Sequence, residues 1–212
     1  MPNVFATADQ HFGHANIIRF TNRPFKYTDE MREILIANHN KVVKVQDTVY
    51  HLGDLFWRTL TVEQAVSIRS RLNGNHYFIY GNHDELMERN YQLRSLFGWC
   101  KDTYNLKVSG YPNIFMSHYA HRVWNGSHKG AYHLYGHSHG ELPEDGSLSF
   151  DVGVDAQNFT PISIEEIDAK MKVKAKSFLG KCFVCPDCAN KFVPFHTRQT
   201  FCSKCGSEME LK

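Results

Sequence analysis

Nine side chains in this sequence have the types and the order needed to hold metal ions and move protons. They are Asp9, His11, Asp54, Asn82, His83, Asp84, His118, His137 and His139. Each stands at or just past the end of an apolar, strand-like run, which is where ligands collect in α/β sheets. Carboxylates, neutral imidazoles and one amide oxygen form a borderline-to-hard donor set suited to Mn²⁺, Fe, Zn²⁺ or Ni²⁺. They outnumber the needs of a single ion. Two divalent ions about 3.5–4 Å apart, bridged by a carboxylate, use them economically. Asp9 and Asp54 would leave such a pair with excess positive charge, able to attract a phosphate and to acidify a bridging water into an attacking hydroxide. His83, not required as a ligand, could protonate the leaving oxygen, with Asp84 orienting its ring.

The elements that must deliver these residues can be read from the apolar periodicity. Val4 to Ala8 leads to Asp9-Gln10-His11, and Thr48 to Leu52 leads to Gly53-Asp54. Tyr77 to Tyr80 precedes Gly81-Asn82-His83-Asp84, Ile114 to Met116 precedes Ser117-His118, and Tyr132 to Tyr135 precedes Gly136-His137-Ser138-His139. Between these strands lie helical patterns. Thr28 reads as an N-cap followed by Asp29 and Glu30, and Met31, Ile34, Leu35 and Val42 share a face. Thr61 with Gln64, and Ser163 with Glu166, have capping-box spacing. Leu148 to Val154 is a last alternating run before the final helix. His51, His76 and His133 sit on or beside strands and read as structural.

Taken together, Asp-x-His, Gly-Asp, Gly-Asn-His-Asp, a lone His after a strand and Gly-His-x-His resemble the motif series of the calcineurin-like metallophosphoesterase superfamily. The resemblance spans residues 3–160, with five blocks in order. It implies an α/β (α+β) fold, a β-sandwich core flanked by helices, with two metals at the sheet ends. Asp9, His11 and His139 would bind the first metal and Asn82, His118 and His137 the second. Asp54 would bridge the two, His83 would be the acid and Asp84 its support. Mn²⁺ is the expected occupant. Ser117 stands where many members have Gly, and Phe12-Gly13-His14 is most similar to small bacterial and phage members. His14 and Arg122 are candidate contacts to substrate phosphate.

At 212 residues the chain has room for one main domain, 1–171, and something smaller. A lysine-rich linker is expected over 172–181, followed by a module over 182–212. Five of the six cysteines fall between 182 and 205. Cys185-x-x-Cys188 and Cys202-x-x-Cys205, thirteen residues apart, resemble a zinc ribbon holding one structural Zn²⁺. A register using Cys182 and Cys185 is also open. Phe192, Phe195 and Phe201 would pack the ribbon's small core or stack on bases. Residues 169–212 carry eight lysines and one arginine against three acids, +6, leaving −4 on residues 1–168 of the total +2. That basic tail suits an anionic partner, nucleic acid or protein, or simple solubility.

Met1 to Thr7 show no leader pattern and no apolar run is long enough to span a bilayer, so a cytoplasmic protein with no membrane partner is expected. The leading functional expectation is a phosphodiesterase acting on nucleotides or nucleic acid. A phosphomonoesterase, including a phosphoprotein phosphatase, and a non-catalytic metal-stabilised binding module are the alternatives.

Overall fold

A computed structural model describes residues 2–179, 183–184, 191–192 and 210–211. In chain order the elements of the main body are β1 (Val4–Thr7), α1 (Ala15–Phe20), α2 (Thr28–Val42), β2 (Thr48–Leu52), α3 (Val62–Ser70) and β3 (Asn75–Ile79). They continue with α4 (Glu85–Arg89), α5 (Tyr91–Arg94), β4 (Cys100–Lys101), β5 (Thr103–Leu106) and β6 (Ile114–Ser117). A 3₁₀ turn at Ser127–Lys129 precedes β7 (Tyr132–Tyr135), β8 (Ser149–Asp151), β9 (Ile162–Ser163) and α6 (Ile164–Leu179).

The strands form two mixed sheets flanked by helices. One has the order β4-β3-β2-β1-β9, with β1 to β4 parallel and β9 antiparallel; the other is β5-β6-β7-β8, with only β5 antiparallel. Because β1, β2 and β3 run the same way, their C-terminal ends share one edge. β6 and β7 end together in the same manner. A bridge from Ala8 to Gly153 ties the two sheets together next to Asp9.

Strand alternation decides which side chains meet which layer. Ala6, Tyr50, Leu52 and Ile79 face the second sheet and share a core with Ile114, Met116 and Leu134. On the opposite face, Phe78 packs with Met31 and Leu35 of α2, Ala65 and Ile68 of α3, and Leu93 of α5. The capping boxes form as expected: Thr61 and Gln64 exchange hydrogen bonds, as do Ser163 and Glu166. Thr28, expected as the cap of α2, is instead its first helical residue. The cap position falls to Tyr27, and Glu30 accepts the Lys26 N–H at 2.6 Å.

The lysine-rich stretch expected as a linker is helical as far as Leu179. Ile164, Ile167 and Met171 keep a helical stripe in the intersheet core, and lysine is a good helix former. Lys174 donates to the Ser149 carbonyl at 2.8 Å and pairs with Glu144. Lys172 pairs with Asp168. Beyond α6, the pieces Phe183–Val184, Lys191–Phe192 and Glu210–Leu211 form a three-stranded antiparallel sheet. Cys182, Cys185, Cys188, Cys202 and Cys205, the expected zinc ligands, lie outside the described residues.

Candidate metal centre

The loops that leave β1, β2 and β7 turn sharply, and they do so on unusual residues. Asp9, His11, Asp54, His137 and His139 all have positive φ, between 48° and 65°. The left-handed conformation costs roughly 1–2 kcal/mol in most residues, although Asp and His tolerate it better than others. Gly53 is required outright. At φ 94° a Cβ there would lie 2.5 Å from His118 Nδ1 and 2.7 Å from the Gly81 backbone. Gly81 abuts Asp54 in the same way. Strained residues gathered at one edge are a signature of a functional site.

Two three-residue groups result, Asp9/His11/His139 and Asp54/His118/His137, each with donor atoms within 4.8 Å of one another. Asp54 links them, its Oδ2 lying 3.6 Å from His11 Nε2 and 3.5 Å from His118 Nε2. Asn82 Oδ1 is 2.9 Å from His118 Nε2. Asp9, His11, Asp54 and His118 are buried, whereas Asn82 and His137 open to solvent.

The hydrogen bonds leave lone pairs turned inward. His118 Nδ1 lies 2.7 Å from the Leu52 carbonyl, which can only accept, so Nδ1 carries the proton and Nε2 is bare. That bare nitrogen faces two acceptor oxygens, from Asn82 and Asp54, an arrangement that repels unless a cation stands between them. His139 Nδ1 lies 2.6 Å from Asp155 Oδ2, which likewise leaves Nε2 free as a donor to a metal. His11 Nε2 is buried with no hydrogen-bond partner. The residues could therefore hold a metal ion.

Burial, only partial at His137, holds the imidazoles of His11, His118 and His137 below their ordinary pKa, so they are neutral at pH 7 with a lone pair to offer. Burial, and then Asp54, push the Asp9 carboxyl well above the usual range. Backbone donors hold both carboxylates in place: the His137 N–H reaches Asp9 at 2.9 and 3.0 Å, and the His83 N–H reaches Asp54 at 2.9 Å.

Asp84 is also buried, and it does not turn toward the His83 ring. Its oxygens accept the N–H groups of Asp54 (2.8 Å), Leu55 (3.2 Å) and Gly81 (2.7 Å). It pins the β2 and β3 loops to each other. Burial raises its pKa to about 7, with Asp54 adding to the effect. The half-buried His83 ring lies instead near His11, with centroids 5.7 Å apart, and 4.9 Å from Trp57. His14 stacks on Trp57 at 3.5 Å with the planes 1° apart, and lies 5.4 Å from His11. Arg122 is exposed on the loop after β6 and forms no hydrogen bond or ion pair with a described residue.

Sequence reasoning did not single out Arg23, Asp151 or Asp155. Arg23 donates to the carbonyls of Asp9 (2.7 Å) and Gln10 (3.0 Å) and grips Asp155 with two nitrogens at 2.7 and 2.8 Å. Asp151 accepts from Gly140 and Gly153. Two acids four residues apart at the end of the last alternating run were the available signal for Asp151 and Asp155. Arg23 offered none. His51 and His76 hydrogen-bond to each other inside the sheet, and His133 bonds to the Phe115 carbonyl and the His121 N–H, all apart from the two groups.

No family model matches the chain. A stretch of 89 residues is 44% identical to the uncharacterized protein MJ1445 of Methanocaldococcus jannaschii. The match covers 42% of this chain and 51% of that protein, so the chain spans about half the length of its curated relative. The crystal structure of a protein of unknown function from Aquifex aeolicus, AQ665, superposes with a TM-score of 0.64 at 24% identity. It covers 80% of this chain and 100% of its own. The likeness is one of fold. Among the described residues no helix is long and apolar enough to cross a membrane.

Proposed function

We propose that this chain is a dinuclear metal-dependent phosphoester hydrolase of the calcineurin-like metallophosphoesterase type, acting on phosphodiesters. The observation that carries the reading is the pair of Asp/His groups joined through Asp54, with bare imidazole nitrogens and carboxylate oxygens converging on it. Two divalent cations held there, Mn²⁺ first among them, would supply a water nucleophile at neutral pH and offset the charge of the phosphate. Asp9, His11 and His139 would hold one ion, and Asn82, His118 and His137 the other, with Asp54 common to both.

The chain's own residues would do the rest. Asp84 and Arg23 fix the loops that carry the ligands. His83, outside both groups, stands beside His11 on the Trp57 side and would give its proton to the oxygen leaving phosphorus. His14, held flat against Trp57, borders the same space. In the C-terminal segment, Cys185, Cys188, Cys202 and Cys205 would hold one structural Zn²⁺ as a ribbon.

The test is metal content measured together with nitrophenol release from bis(4-nitrophenyl) phosphate and 4-nitrophenyl phosphate. Two active-site ions and faster diester cleavage are expected. Full metal loading without cleavage of either ester would leave a binding module as the better reading.

A further inference from the structure

We infer that Tyr119 is a nucleobase platform, so that the substrate is a phosphodiester carrying a nucleoside on the side of His118 and His137. This rests on the phosphoester-hydrolase reading above and adds the substrate class to it. Tyr119 follows His118 directly at the end of β6. Its carbonyl accepts the Ser117 hydroxyl at 2.8 Å, which fixes the backbone at that point. Its ring lies 4.6 Å from the His137 ring and 5.2 Å from the His118 ring, yet the residue is 50% exposed. A large aromatic ring held against two candidate metal ligands, with half its surface in water, adds little to folding. It presents a π-face one residue away from where the phosphate would sit.

The opposite wall differs in kind. There Trp57 is occupied by the stacked His14, and the exposed Arg58 guanidinium lies 5.3 Å from the Trp57 ring. His83 is on that wall too. A diester lying across the site therefore has two unlike ends. The group retained on phosphorus meets Tyr119, while the departing oxygen meets His83 and a cationic rim. A nucleobase suits the Tyr119 end because every base offers a face for stacking, which is sequence-tolerant. The product would be a nucleoside monophosphate.

The experiment compares two diesters with the same leaving group, thymidine 5′-(4-nitrophenyl) phosphate and methyl 4-nitrophenyl phosphate, on the Mn²⁺-loaded full chain. Its readout is the ratio of their kcat/KM values. Wild type is expected to favour the thymidine ester by about tenfold or more, the size of one base–aromatic stack. Tyr119→Leu, which keeps an apolar side chain but no π-face, should lose about tenfold of that ratio, and Tyr119→Phe should keep it. Calorimetric binding of thymidine 5′-monophosphate, with methyl phosphate as control, should weaken in parallel in Tyr119→Leu. A ratio unchanged by Tyr119→Leu, or lost equally in Tyr119→Phe, overturns the platform. If wild type cleaves neither ester, the hydrolase reading fails, and the calorimetry then decides Tyr119 alone.

Discussion

Acidification should unfold this protein through three buried histidines that take no part in the candidate site. His39 of α2, His51 of β2 and His76 of β3 stack with ring centroids 5.0 to 6.4 Å apart between the first sheet and its helices. Asn73's carbonyl accepts from Nε2 of both His39 (2.8 Å) and His76 (2.9 Å). With its Nε2 protonated, neutral His76 accepts at Nδ1 from His51 Nε2, 2.7 Å away, and His51 Nδ1 is left without a partner. With the rings neutral, these contacts assign each tautomer. Burial holds His39 down to about 4, burial and then Arg69 hold His76 down to about 2, and His51 lies well below its usual value.

The sign follows from these directions. Above about pH 7.5 the rings are neutral whether the chain is folded or unfolded, and their contribution is complete. As pH falls through the unfolded value of about 6.5, only the unfolded chain takes up protons, and stability drains away toward the depressed folded values. Between pH 7.5 and 5.0 each ring costs about 2 kcal/mol, so three approach about 6 kcal/mol, comparable with the whole stability of many domains. His39→Gln is the informative variant, because the glutamine amide can still donate to Asn73 but does not titrate. Urea unfolding in chelator across that pH range should show the variant losing about 2 kcal/mol less than wild type. The raised carboxyls Asp9 and Asp84 act in the opposite direction, but they are common to both proteins and cancel in the difference. Parallel stability curves for the two proteins would refute the argument.

Replacing His83 with Asn should slow ester turnover by about 10²-fold or more while both ions stay bound, and loss of metal in that variant would make His83 a ligand instead. Asp155→Asn strips the counter-charge from buried Arg23 and leaves one acceptor oxygen where Arg23 and His139 Nδ1 together use two; unfolding in urea should show about 3–5 kcal/mol lost, and a loss below about 1 kcal/mol would contradict the geometry. At His137, with φ 65°, the usual order of Ala over Gly should invert: in chelator His137→Gly should be about 1 kcal/mol more stable than His137→Ala, and the normal order would mean the backbone there is not strained.

The site was legible because its residues announce themselves locally. A polar cluster directly after an apolar run is visible without any knowledge of the fold, and parallel strands then bring such clusters to one edge. Arg23 was invisible for the opposite reason. Its partners, Asp9, Gln10 and Asp155, are reached only once α1 folds back, and an isolated arginine before a proline carries no pattern. Asp84 sat in the right motif, but its partners are backbone amides, which a sequence does not display. In the fold, β4 and β9 are two residues long, too short to show a period of two, and were missed. The lysines after Lys170 suggested a solvated connector by composition, while the stripe of Ile164, Ile167 and Met171 carried the helix into them.

The surroundings of the two buried carboxylates, Asp9 and Asp54, suit a group from outside the chain. They receive backbone N–H groups from His137 and His83, which fix their positions but bring no formal charge. Among the described residues neither forms an ion pair with a lysine or arginine. The nearest built-in cation, Arg23, directs its nitrogens to Asp155, to main-chain carbonyls and to the Met31 sulfur, and so grips the Asp9 backbone without touching the Asp9 carboxylate. The imidazoles of His11, His118 and His137 are held below their ordinary pKa by burial and present lone pairs of their own. Left-handed backbone at five of these positions adds a further cost that packing alone does not explain. Carboxylate repulsion, unpaired nitrogens and backbone strain all act against the folded chain by itself, and a bound metal cation would relieve the first two together.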